Sequence, residues 1–163
     1  MKHASTTLAF LALGLLAIGS LAAPSAASAD SGDAMAPYRS AANGDLRQFY
    51  ADRLMLTEKE GKKFWPEYNE YAAAQKELDD RFFMLLQSYA NAYKKGPLTD
   101  RTAKPLLKDA IEIEQESWAL HDKFMKKAMK ILPPFKGAMF YQLDSRVRTT
   151  AKYDRAAQIP LIN

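Results

Sequence analysis

No cysteine occurs among the 163 residues. That absence excludes a disulfide framework, a thiolate nucleophile and a cysteine metal site together. Histidine is nearly absent as well, with only His3 and His121 in the chain. Glycine is sparse beyond residue 30, at Gly32, Gly44, Gly61, Gly96 and Gly137. None of these belongs to a phosphate-cradling loop, and neither a G-x-S-x-G elbow nor an H-E-x-x-H pair occurs. Glu112 and Glu116 share a helix face, but His121 follows Glu116 by five positions, so a Glu-x-x-His di-iron pattern is missing. No run of alternating β-branched residues is long enough to argue for a strand. The chain is therefore expected to be neither an enzyme nor a cofactor carrier.

What is present begins with an export signal. Lys2 is followed by an uncharged, mostly apolar run from Leu8 to Ala22, then by Pro24 and the small residues Ala27-Ser28-Ala29 ahead of Asp30. The run is shorter than the ~20 residues a membrane span needs and ends in an A-x-A pattern, so residues 1–29 read as a cleaved signal peptide. Removing them from the 163 leaves 134 residues, enough for one domain of modest core. The remainder holds 22 Lys and Arg against 19 Asp and Glu, a net +3. All of that excess lies in residues 133–163, where Lys136, Arg146, Arg148, Lys152 and Arg155 face Asp144 and Asp154. Export argues against a nucleic-acid partner, so acidic protein surfaces or anionic lipid are the expected counterparts.

Residues 30–43 are rich in Ala, Ser, Gly and Pro without a period and read as a flexible tether. Residues 44–163 read as one helical domain. A short helix is expected over about Asp45 to Met55. In LTEKE, Thr57 and Glu60 form a capping box that starts a second helix. Phe64, Tyr68, Tyr71, Gln75, Leu78, Phe82, Leu85, Tyr89 and Tyr93 then recur at steps of three and four, up to Lys95-Gly96-Pro97. Pro66 inside this span predicts a bend near Lys62 or a stop and restart. A third helix is expected from Leu98-Thr99-Asp100 to Leu132, with a bend or restart allowed at Pro105. Leu107, Ala110, Ile111, Glu114, Trp118, His121, Phe124, Met125, Ala128 and Met129 mark its expected inner side. Pro134 opens a fourth helix, which ends near Ala157.

The fold class is thus all-α: an elongated antiparallel helical hairpin with a short N-terminal helix and a C-terminal helix. Helices this long in so short a chain leave apolar surface half exposed, which points to a second copy or a client protein as cover. The aromatics of residues 64–93, with Met84, Met125, Met129 and Met139, form either bundle core or an adaptable surface for flexible protein segments. His121, Met125 and Met129 share one helix face, as a soft metal would need. Core packing is the better reading of such a stripe, and no metal is assigned. Residues that combine bulk with nearby positive charge are the candidate client contacts: Phe64, Tyr68, Phe82, Tyr89, Phe124, Met125, Lys126 and Arg146.

Leu56-Thr57-x-x-Glu60, Leu98-Thr99-x-x-Thr102 and Leu132-Pro133-x-x-Lys136 open successive helices. In this layout the chain resembles the exported LTXXQ-motif proteins, the Spy/CpxP-like envelope-stress chaperones and adaptors, as a divergent member. The resemblance covers about residues 45–157, and Glu60 and Thr102 stand where that family has Gln. It implies a helical hairpin dimerised into a cradle, residence in the periplasm, and binding of unfolding clients without ATP. A regulatory adaptor or metal-responsive sensor of an envelope stress system is the alternative that it implies.

Overall fold

The computed structural model describes residues 33–160 as five helices: α1 (Ala36–Ala42), α2 (Leu46–Leu54), α3 (Glu58–Lys94), α4 (Asp100–Ile131) and α5 (Pro134–Ala157). No strand occurs among the described residues. The signal peptide read at residues 1–29 lies outside them. The all-α class and the long hairpin expected from the sequence are both present. α3 is 37 residues long and α4 is 32, so α3 alone spans about 55 Å. Gly96, at φ +129°, turns the chain between them, a backbone angle that side chains rarely tolerate. The cross-helix pairs Glu67–Lys127, Gln75–Ser117 and Arg81–Glu116 descend along α4 as they ascend α3, which fixes the two helices as antiparallel.

The helix starts carry their own causes. The Thr57 hydroxyl accepts from the Glu60 N–H at 3.3 Å, and Glu60 Oε2 accepts from the Thr57 N–H at 2.8 Å. At α4 the Thr99 N–H donates to Thr102 Oγ1 at 3.0 Å, so a threonine hydroxyl takes the place of the longer carboxylate. Lys136, from the word that opens α5, donates to Glu60 Oε2 at 2.7 Å and to the Met55 carbonyl at 2.8 Å. Two helix-start words therefore touch in space. The Lys136 ammonium, followed by the Thr57 N–H, holds the Glu60 carboxyl below its ordinary pKa.

Three sequence expectations need correction. The tether of residues 30–43 is not a tether over Ala36–Ala42, which fold as α1 against α5. There the Arg39 side chain donates to Asp154 at 2.6 Å, Ala41 is buried, and Tyr38 meets Phe49 edge-on at 6.0 Å. Of the two outcomes allowed at Pro66 and Pro105, a bend or a stop and restart, the stop does not occur: α3 and α4 run unbroken through both prolines. Burial of Phe64 and Tyr68 on either side of Pro66 offsets the hydrogen bond that the proline removes. Finally, Leu107, Ile111, Glu114, Trp118 and Met129 of the expected inner side of α4 are exposed, while His121, Phe124, Met125 and Ala128 are buried as expected. α4 carries two adjoining apolar stripes, and α3 covers only one of them.

The main core gathers at the end of the hairpin remote from Gly96, where α1, α2 and α5 pack against the N-terminal part of α3 and the C-terminal part of α4. Phe140 of α5 is its hub, with ring centroids 5.0 Å from Tyr50, 5.3 Å from Phe64 and 5.6 Å from Phe124. Tyr71 stacks on Phe124 at 4.5 Å. Burying rings of this size removes ~150–250 Å² each from water.

Candidate functional site

The deepest polar cluster joins three helices. Tyr50 of α2 donates to Asp144 Oδ1 of α5 at 2.9 Å, and His121 Nε2 of α4 lies 2.9 Å from the other carboxylate oxygen. All three side chains are buried. Burial, with the Asp144 charge second, pushes the Tyr50 hydroxyl far above the ordinary phenol range. Tyr68 is raised in the same way, and Tyr71 is pushed up to about 12 by burial and then by Asp144, with Arg148 opposing. An aspartate that orients a histidine is also part of a catalytic triad. Here, however, the second carboxylate oxygen takes a tyrosine, and the cluster is closed off by packed aromatic rings. Its chemistry is that of a tie between α2, α4 and α5.

Of the candidate client contacts, half belong to the core. Phe64, Tyr68, Phe124 and Met125 are at most 9% exposed and form part of one contiguous cluster. They do not present a surface, because α5 and α2 cover the stripe that the sequence left open. Phe82 is half-buried beneath the Arg155 guanidinium, 5.4 Å from its ring. Tyr89, also half-buried, donates to the Pro160 carbonyl at 2.7 Å. Lys126 is exposed and pairs with Asp122 at 2.6 Å. Arg146 is exposed, donates to the Tyr38 hydroxyl at 3.2 Å and lies over that ring. The eight therefore do not form one site.

The exposed apolar surface lies elsewhere. Along α4, Leu107, Ile111 and Trp118 are 62%, 48% and 59% exposed. Their spacing of four and seven places them on one helix face. Phe83 and Met84 of α3 are more than half exposed, and Tyr93 is also open to solvent. The same face of α4 continues through His121 and Met125, which α5 buries, so α5 covers the lower part of the stripe and leaves the upper part open. The Arg148 guanidinium lies 5.6 Å from the Trp118 ring at the boundary. Lys152 of α5 pairs with Glu114, and Arg155 with Asp79 at 3.2 Å. Beyond these pairs the hairpin carries Lys94, Lys95, Arg101, Lys104 and Lys108, and none of them forms a salt bridge among the described residues. Asp100 is the lone acid over that stretch. The distal hairpin thus carries free positive charge near its turn and an exposed apolar stripe farther along α4, where Asp109 and Glu112 are exposed as well.

The alternation of apolar residues could have revealed this stripe in the sequence, but only as one of two stripes on α4. Nothing local says which one is covered. No protein-family model, no curated protein and no solved structure matches the chain.

Proposed function

We propose that the chain is an exported, periplasmic chaperone-like protein that holds unfolded or flexible protein segments without ATP. The client surface in this reading is the distal α3–α4 hairpin. The observation that carries it is the exposed apolar stripe of Leu107, Ile111 and Trp118. Apolar area of this kind gives client contact without a specific sequence. Likeness to the LTXXQ proteins belongs to this proposal, as does pairing of two copies to set two such faces side by side. No helix among the described residues is long and apolar enough to cross a membrane.

The adaptor or metal-sensor alternative draws less support. The His121–Met125–Met129 stripe is not a free donor set, since His121 is held by Asp144 and Met125 is buried. The test is aggregation of a chemically denatured client, followed by light scattering in low salt. Stoichiometric protein should slow it, and Ile111→Glu should weaken the effect. No slowing by the native chain contradicts the proposal.

A further inference from the structure

The two most exposed large apolar side chains among the described residues are Met55, at 78%, and Phe135, at 74%. Both stand at the end of the bundle remote from Gly96. Met55 closes α2 and Phe135 lies in the first turn of α5, so each sits at a chain reversal. Lys136 joins the two reversals by donating to the Met55 carbonyl at 2.8 Å. α4 ends beside them: a Cβ on Gly137 would come within 2.8 Å of the Met129 sulfur, and Met129 is itself half exposed. Met55 is also the one non-glycine residue at positive φ, 45°, among the described residues. Glycine usually takes that place after a helix. Here a strained backbone turns a methionine outward with no burial to offset the strain, and strain of this kind collects at functional contacts.

The charge at this end has one sign once its ion pairs are taken away. Over residues 52–63 and 126–139, Glu58 is held by Lys62 and Glu60 by Lys136, while Lys126 and Lys127 pair with Asp122 and Glu67. Asp52, bonded to Gln48, is the acid left without a cation. Against it stand Arg53, Lys59, Lys63 and Lys130, none with a carboxylate partner among the described residues. Four free cations against one acid leave an excess of +3. We propose that this end, with Met55 and Phe135 at its tip and Lys59, Lys63 and Lys130 around them, docks on the surface of a bilayer rich in anionic lipid. The apolar tips enter the boundary between headgroups and acyl chains, and the lysines extend to the phosphates.

A bilayer fits this end better than a protein does. Met55 and Phe135 rise from separate reversals, so they form no row of side chains for a neighbouring helix to pack against. Fluid lipid needs no matching groove. The contact is shallow, since no helix among the described residues is long and apolar enough to cross a membrane. The Gly96 end also carries free lysines, but Tyr93, the exposed large apolar side chain nearest that turn, is far less open than Met55 or Phe135. The inference does not depend on the client-binding reading. A chain docked in this way points the Gly96 end of α3 away from the lipid.

The experiment is flotation of the chain begun at Asp30, which keeps every described helix and the whole core. Its probes are vesicles of phosphatidylcholine alone, vesicles of phosphatidylcholine and phosphatidylglycerol in equal parts, and polyglutamate. Binding to the anionic vesicles should be at least about tenfold tighter than to phosphatidylcholine alone and should weaken with salt. Met55→Gly with Phe135→Ser leaves the charge unchanged and should weaken that binding by at least about tenfold. Glycine suits the Met55 backbone angle, so the fold is spared. Lys59→Glu with Lys63→Glu should weaken binding as much, and Lys94→Glu with Lys95→Glu clearly less. Leu107→Ser with Ile111→Ser should leave it unchanged. Circular dichroism identifies any variant that fails to fold, and Phe135→Ser alone then stands in, with a loss of at least about threefold expected. No loss from the Met55 and Phe135 substitutions, or equal losses from charge reversal at the two ends, would mean unspecific adsorption and overturn the proposal. Loss in the Leu107 and Ile111 variant overturns it by assigning the lipid to α4. Polyglutamate binding as tight as vesicle binding overturns it as well, by assigning this end to an acidic protein.

Discussion

At the scale of residues, the decisive contact is the one Asp144 makes with both Tyr50 and His121. Replacing the carboxylate by a methyl leaves two buried donors without an acceptor, and each such group costs ~1–3 kcal/mol. Asp144→Ala is therefore expected to lower stability by about 3 kcal/mol in a urea titration. Asp144→Asn, which keeps one oxygen, should lose less. Equal and negligible losses for both would show that the tie contributes nothing. Something of this site could be read in advance. Helical spacing puts His121 on the inner side of α4, and Asp144 stands in an apolar register with Phe140, Leu143 and Val147, where an acid needs a buried partner. Their pairing was not legible, because it joins residues 23 apart through the packing of α5 on α4.

Elements were the most legible scale, and the reason is local. Each long helix starts at a cap whose atoms lie within four residues of one another, so the sequence word and the structure coincide. Thr57→Ala removes the acceptor for the Glu60 N–H and should cost about 1 kcal/mol. An unchanged urea midpoint would mean that Lys136 and Glu60 hold the helix start without the threonine. α1 was not legible because a seven-residue helix is not stable alone. It exists by the tertiary grip of Asp154 on Arg39 and by the packing of Ala41. The uninterrupted passage through Pro66 has the same origin. Its local cost is outweighed by burial of Phe64 and Tyr68, which no reading of neighbours in sequence can weigh. The exposure of part of the inner set expected on α4 has a different cause: the reach of α5 along the hairpin decides how far each apolar stripe is covered.

For the whole molecule, the consequence is a division of labour along the hairpin. One end spends its aromatics on a shared core of α1, α2, α3, α4 and α5. The other end, past the Lys152–Glu114 and Arg155–Asp79 pairs, leaves apolar side chains and lysines open. A client held by this protein should meet the second end and leave the first intact. That separates surface binding from the alternative in which the buried rings open out to receive the client. Hydrogen exchange read by mass spectrometry, with and without a denatured client, tests this most directly. The account predicts new protection over about residues 104–118 and unchanged exchange over the core segments around Phe64, Phe124 and Phe140. Faster exchange at those core segments, or no change along 104–118, would contradict it.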